Sequence, residues 1–235
     1  MSYRRICQVL AVALVAQCSP VPTAGAASPG SGVHYVYLIR HGAYDRADSL
    51  SDVTANGLNQ LGHEQARLTG ARLAALPVRP ATLVSSTLLR ARETAEDIGR
   101  SLGMTPILDS LLQECTPTSD RPDFMKNHSP AEIAECDSNL ARAWAKYVVP
   151  TPGADRHDVL VCHGNVIRWF TCRVVAGDPL HWSRMDIANG SLTIIAVNPD
   201  GRVKLVMFSD AGHLPLAEQT WTGKGAGWGT GAVLH

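Results

Sequence analysis

Two short runs in this sequence carry residue types suited to chemistry on a dianion. Arg40-His41-Gly42 directly follows an apolar stretch at 33–39, and His163-Gly164-Asn165 directly follows another at 158–162. A third apolar run, 81–85, leads into Ser86, with Arg90 four residues further on. If the three runs are neighbouring strands of an open sheet, two imidazoles and two guanidinium groups converge at their carboxyl ends, where such sheets build their sites. Helix starts beside them add unpaired N–H groups and the positive end of a dipole. Arginine adds forked donors for a tetrahedral oxyanion. A site that only held phosphate would be served by Arg and Lys. Two histidines point to group transfer, with one ring as nucleophile and the other as donor to the moving oxygens.

Those positions need particular elements. The run 33–39 (VHYVYLI) is β-rich and almost unbroken in apolar character, as is a strand covered on both faces. The runs 81–85 and 158–162 have the same character, and helical patterns lie between them. Asn59 predicts the cap of a helix reaching about Leu76. Ser86 predicts the cap of the next, where Leu88, Ala91, Ala95, Ile98 and Leu102 share one face. Ser129-Pro130-Ala131-Glu132 is a capping box with proline at the first helical position; it opens a helix carrying Ile133, Leu140, Trp144 and Tyr147. A fourth helix is predicted over 165–175. Asn198-Pro199-Asp200-Gly201 is a turn signal joining strands at 191–197 and 202–208. Strands alternating with helices predict an α/β fold, a three-layer α/β/α sandwich with a mostly parallel sheet and an antiparallel edge hairpin. Trp144, Trp169 and Phe170 are expected in the core. Trp182, Trp221 and Trp228 are left as candidates for the pocket border.

Length and composition set the outer bounds. The chain has 235 residues, 45% apolar and 18% charged, with 21 basic and 21 acidic side chains. One domain of this size buries about 70% of its unfolded surface. Zero net charge argues against nucleic acid as a partner, which needs a basic excess. No apolar run approaches the ~20 residues of a spanning helix, so no stable membrane span is expected in the mature chain. Arg4 and Arg5, the uncharged stretch 6–18 and Ala24-Gly25-Ala26 have the layout of a secretory signal. The expected organisation is therefore a signal peptide at 1–27, a leader at 28–32, a domain at 33–215 and a Gly/Trp-rich tail at 216–235. The expected location is outside the cytoplasm, periplasmic or secreted. Lipid modification at Cys18 and an N-terminal membrane anchor are the less favoured alternatives. An oxidising compartment permits disulfides. Cys115 and Cys136 are placed to close a loop, and the sequence leaves their pairing open; Cys162 and Cys172 are expected to be buried small apolar groups. No metal-ligand spacing is present, so neither metal nor cofactor is expected.

The motifs together resemble the histidine phosphatase superfamily, the phosphoglycerate-mutase-like proteins. Leu38-Ile39-Arg40-His41-Gly42 resembles its signature, and Ser86-Thr87-Leu88-Leu89-Arg90-Ala91-Arg92-Glu93-Thr94 its second motif. Leu58–Ala66 resembles its first helix start, and Val161–Arg168 its second-histidine motif. Within the superfamily the chain is most similar to the mitochondrial serine/threonine protein phosphatase branch, through Ala43-Tyr44, Cys172-Arg173 and Asn189-Gly190-Ser191. The resemblance implies a phosphomonoester hydrolase working through a phosphohistidine on His41. Arg40, Arg90 and His163 would hold the phosphoryl oxygens, with Asn165 a further phosphate-binding candidate. Glu114 would be the acid that protonates the leaving oxygen. Gln113-Glu114-Cys115 stands where related phosphatases carry Arg-Glu-Gly, and Tyr44 stands where the phytase-like branch has arginine. The implied partner is a phosphorylated protein or small molecule. A phosphate-binding scaffold without turnover and a mutase-type phosphotransferase are the alternatives.

Overall fold

The computed structural model describes residues 31–47 and 51–221. The expected signal peptide, Cys18 and Trp228 lie outside them. Six strands form one sheet: β1 (His34–Arg40), β2 (Thr82–Ser85), β3 (Ile107–Leu108), β4 (Arg156–Cys162), β5 (Leu192–Val197) and β6 (Val203–Asp210). Their order is β3-β2-β4-β1-β5-β6. β1 lies between β4, parallel with Leu38 opposite Leu160, and β5, antiparallel with Leu38 opposite Thr193. β2 and β3 extend the parallel half, and β6 closes the antiparallel edge. The α-helices among the described residues are α1 (Gln60–Ala74), α2 (Leu89–Leu102), α3 (Pro122–Met125), α4 (Pro130–Tyr147) and α5 (Gly164–Ala176).

Side-chain alternation along the central strands explains the three layers. Tyr37, Ile39, Val159 and Val161 face one way and meet Leu73 of α1 and Ala91, Ala95 and Ile98 of α2. Val36, Leu38, Leu160 and Cys162 face the other way and meet Leu140 of α4 and Ile167 and Phe170 of α5. Both faces of β1 and β4 are therefore core, and their apolar runs are nearly continuous for that reason. Each fully buried Leu, Ile or Phe contributes about 1.5–3 kcal/mol relative to an exposed one.

The caps follow local sequence with one exception. Asn59 accepts from the Gly62 amide at the start of α1, and Ser129 with Glu132 forms the reciprocal capping box of α4. The hairpin turn closes through an Asn198 amide to Arg202 carbonyl bond, with Gly201 at φ +81°, a backbone region open to glycine without steric cost. Ser86 is the exception. α2 starts at Leu89 with Leu88 in the cap position and no side-chain cap; Ser86 lies two residues before that position, and its hydroxyl meets the Leu88 amide and His163.

The aromatic expectations divide. Trp169 and Phe170 are buried and Trp144 packs against both. Trp182 belongs to the core and not to a pocket border: it is fully buried, and its indole N–H donates to the Thr118 carbonyl at 3.0 Å. An indole is tolerated at such depth because its N–H has a partner. Residues 216–221 fold back on the domain, with Gln219 buried and donating to the Ala211 and Leu214 carbonyls.

Cys115 and Cys136 are joined in a disulfide, and Cys162 and Cys172 are free and buried. The bond spans 21 positions and ties the segment before α3 to α4. Closing a loop of that order is worth about 3 kcal/mol, because it restricts the unfolded chain. Cys136→Ser is accordingly expected to lower unfolding free energy by about that amount, read from the urea midpoint together with the slope, which rises as the unfolded chain loses its restraint. An unchanged midpoint would mean that the cross-link does not restrain the unfolded chain.

Candidate active site

β1, β2 and β4 end side by side, and the loops leaving them bring His41, Arg40, Arg90 and His163 together. The two imidazole centroids are 5.1 Å apart, and both rings are buried, with 2% and 0% of residue surface exposed. His163 stands at the N-cap position of α5. Arg90 lies in the first turn of α2 and sends its Nε to His41 Nε2 at 3.3 Å.

The hydrogen bonds of His41 define its chemistry. Nδ1 lies 2.8 Å from the Gly42 carbonyl. A carbonyl only accepts, so Nδ1 carries the hydrogen. Burial, then Arg40, then Arg90, push the His41 pKa well below its ordinary value. The ring is therefore neutral, and its Nε2, which carries no hydrogen, accepts from the Arg90 Nε–H. His163 is held neutral in the same way, by burial first and then by His41, Arg90 and Arg40.

Two buried nitrogens around these rings, Arg40 Nε and His163 Nδ1, have no partner, and a third, Arg90 Nη1, makes no hydrogen bond and meets only Asp52 Oδ1 in an ion pair. Buried polar groups are rarely left so. Their convergence points to an acceptor-rich ligand with several oxygens. Arg40 is fixed by its Nη1 bond to the Ile187 carbonyl. Arg90 pairs with Asp52 at 3.2 Å, and its guanidinium lies 4.7 Å from the Tyr44 ring centroid. Tyr44 in turn meets His41 edge-on at 5.2 Å and walls one side of the basket.

The loop carrying His41 is over-determined. Asn189 Nδ2 donates to the His41 carbonyl at 2.9 Å, the Gly42 amide donates to Thr94 Oγ1 at 3.0 Å, and the Ala43 amide to Gln65 Oε1 at 2.8 Å. Gly42 is required by close approach. A Cβ there would lie 2.4 Å from the Gly62 carbonyl oxygen in the first turn of α1. The same turn needs Gly62, whose Cβ would lie 2.0 Å from the Ala43 carbonyl oxygen.

Glu114 follows a 3₁₀ turn at Ser110–Leu112, and its carboxylate lies with the Arg40 guanidinium beside Gly164. Its Oε1 accepts from the Asn165 amide at 3.2 Å. Desolvation raises its pKa, against the opposing pull of Arg40, Arg90 and Arg168. A carboxyl so raised holds its proton more readily than an ordinary one, which suits an acid. Asn165 is neither a helix cap nor free to reach outward. Its Nδ2 donates to the Cys115 carbonyl at 2.9 Å and its Oδ1 accepts from Arg168 at 3.2 Å. It thus fastens the Glu114–Cys115 segment to the start of α5.

Asn189 and Ser86 carry more of the site than sequence reasoning assigned them. Asn189 sits in the Asn-Gly-Ser run before β5, a turn signal that marks position but not the backbone atoms it clamps. Ser86 resembles a cap in sequence, whereas its Oγ lies 2.8 Å from His163 Nε2. Among the described residues, no cluster of three His, Cys, Asp or Glu side chains is arranged as metal ligands.

An open α/β sandwich with a cationic, histidine-lined basket at the carboxyl ends of three parallel strands is an architecture for handling tetrahedral oxyanions. Residues 36–210 match the histidine phosphatase superfamily (branch 1). The chain belongs to that family. It is 35% identical over 188 residues to the human serine/threonine-protein phosphatase PGAM5, mitochondrial, an alignment covering 77% of this chain and 64% of the relative. It is 36% identical over 195 residues to Pgam5 of Caenorhabditis elegans, covering 80% and 66%. The chain thus spans just under two thirds of the length of the curated relatives it matches. Among solved structures, Bacillus stearothermophilus YhfR superposes with a TM-score of 0.60 at 22% identity, over 77% of this chain and 98% of that one.

These relatives correct the expected location. The proteins matched at 33–36% identity are named mitochondrial, which contradicts export to a periplasm or the exterior. The physical reason for the misreading is compositional. A leader with arginines and no acidic residue is common to secretory signals and organellar transit segments, so its charge pattern does not fix the compartment.

Proposed function

We propose that the chain is a phosphomonoester hydrolase that passes the phosphoryl group through His41. The observation that carries this reading is the neutral His41 ring, its Nδ1–H spent on Gly42 and its hydrogen-free Nε2 held by Arg90 Nε beside the unpartnered Arg40 Nε and His163 Nδ1. In the first step the Nε2 lone pair forms a bond to phosphorus as the bond from phosphorus to the ester oxygen breaks. Arg40, Arg90 and His163 take up the charge spread over the three equatorial oxygens. The protonated Glu114 carboxyl gives its hydrogen to the leaving oxygen. In the second step the Glu114 carboxylate takes a proton from water, whose oxygen attacks phosphorus and releases inorganic phosphate and His41. Asn165 orients Glu114 through its amide and through Cys115.

The substrate class we assign is a phosphoserine or phosphothreonine side chain or a small alkyl phosphate. Support comes from the relatives named serine/threonine-protein phosphatases and from the acid, which an alkoxide leaving group needs. The Arg and His donors supply the positive field that a metal ion gives elsewhere, so a chelator is expected to leave turnover unchanged; loss of activity with EDTA would contradict this.

Glu114→Gln tests the acid. It is expected to slow alkyl phosphates by about 10²–10⁴-fold while aryl phosphates, whose leaving groups need little protonation, slow much less. Paired assays of phosphoserine and p-nitrophenyl phosphate give the comparison. Equal slowing of both would remove Glu114 from that role.

A further inference from the structure

We propose that Ser86 is a positioning residue that donates its hydroxyl hydrogen to His163 Nε2 and thereby fixes His163 as the Nδ1–H tautomer, its remaining donor turned to the phosphoryl oxygens. A neutral imidazole has one N–H, and only one of its nitrogens can serve as a donor. Which nitrogen holds the hydrogen is set by the bond the other one makes. His163 Nε2 has the Ser86 Oγ at 2.8 Å, and Nδ1 has no partner. Ser86 Oγ already accepts from the Leu88 amide at 3.3 Å. Among the described residues its hydroxyl hydrogen has no acceptor other than His163 Nε2. Both groups are fully buried.

The neighbours of His163 Nδ1 agree with this assignment. Arg40 Nε is also a donor without an acceptor, and Arg90 Nη1 makes no hydrogen bond, only an ion pair with the partly exposed Asp52 carboxylate. A hydrogen on Nδ1 makes the third of a set matched to three phosphoryl oxygens. The opposite tautomer would present a lone pair to those oxygens and repel them. The serine therefore lets a ring that is kept uncharged by its surroundings still donate at the required atom. Its position directly after β2, and before α2 begins, places the hydroxyl beside the end of β4, since the Ser86 amide bonds the Val161 carbonyl at 2.9 Å.

The tautomer belongs to the resting protein and is measurable without turnover; its catalytic consequence rests on the phosphatase reading. Ring nitrogens of the full chain labelled with ¹⁵N-histidine are to be recorded near neutral pH, with His163 assigned by its loss in His163→Gln. The expected wild-type spectrum has His163 Nδ1 protonated and Nε2 bare. Ser86→Ala is expected to shift hydrogen toward Nε2 and to lower kcat by about 10–100-fold, the usual scale for losing a group that orients a reacting side chain. Ser86→Thr keeps the hydroxyl and is expected to restore the tautomer and most of the rate. A hydrogen on Nε2 in the wild-type protein overturns the proposal, even if Ser86→Ala fails to fold. So does a tautomer unchanged in Ser86→Ala. Nδ1–H in a wild-type protein that hydrolyses no phosphate ester would uphold the assignment and contradict the phosphatase reading instead.

Discussion

His41→Ala is expected to lower turnover of p-nitrophenyl phosphate by about 10⁴–10⁶-fold, the scale seen when a nucleophile is removed from an otherwise intact site. The loss should fall on kcat. The oxyanion donors Arg40, Arg90 and His163 remain, and their hold on the phosphoryl group does not depend on the His41 ring. Inorganic phosphate should therefore still bind as a competitive ligand. The fold should survive, because the loop is fixed through the backbone, by Asn189, Thr94 and Gln65. Steady-state kinetics with a phosphate titration read both effects. A variant retaining a tenth of wild-type activity would mean that another group attacks phosphorus.

Arg90→Ala is the second large effect, and it has two parts. A guanidinium placed on the transferring group is worth about 10³–10⁵ in kcat. Arg90 also contributes to the depressed pKa of His41, after burial and Arg40. The sign follows directly. His41 attacks only when neutral, so rate is lost as pH falls through its pKa. The wild-type acid limb due to this ring should lie well below the ordinary histidine range. Removing a neighbouring positive charge raises that pKa and moves the limb to higher pH. A pH profile of kcat/KM for both proteins gives the shift. An unmoved limb, or one moved to lower pH, would show that Arg90 does not act on the protonation of His41.

Much of this arrangement was legible in the chain itself, for physical reasons. The central strands are covered on both faces, so their apolar runs stand out. The residues at their carboxyl ends, Arg40-His41-Gly42 and His163-Gly164-Asn165, then had to share one edge of the sheet. Asn59 and Ser129 announced their helices because capping is a local bond. The rest depended on groups distant in sequence. Ser86 has the chemistry of a cap, and only the adjacency of β2 and β4 shows that its hydroxyl is taken by a ring 77 positions away. Trp182 gave no period from which burial could be inferred, since its 3₁₀ turn at Pro179–Arg184 is too short for one. Asn165 was legible as a helix-start residue, but its side chain serves the Cys115 carbonyl of a loop 50 residues earlier. β3, two residues long, pairs with β2 at the end of the strand order, and nothing in Ile107-Leu108 separates it from a loop.

The route of the phosphoryl group is tested most directly by trapping it. Wild-type protein mixed with ³²P-labelled phosphate ester and quenched without acid should carry label that is acid-labile and base-stable. Digestion and mass spectrometry should place the label on Nε2 of His41, and none should form in His41→Ala. Label on a serine, a cysteine or His163, or full turnover with no labelled protein at any time after mixing, would contradict the account.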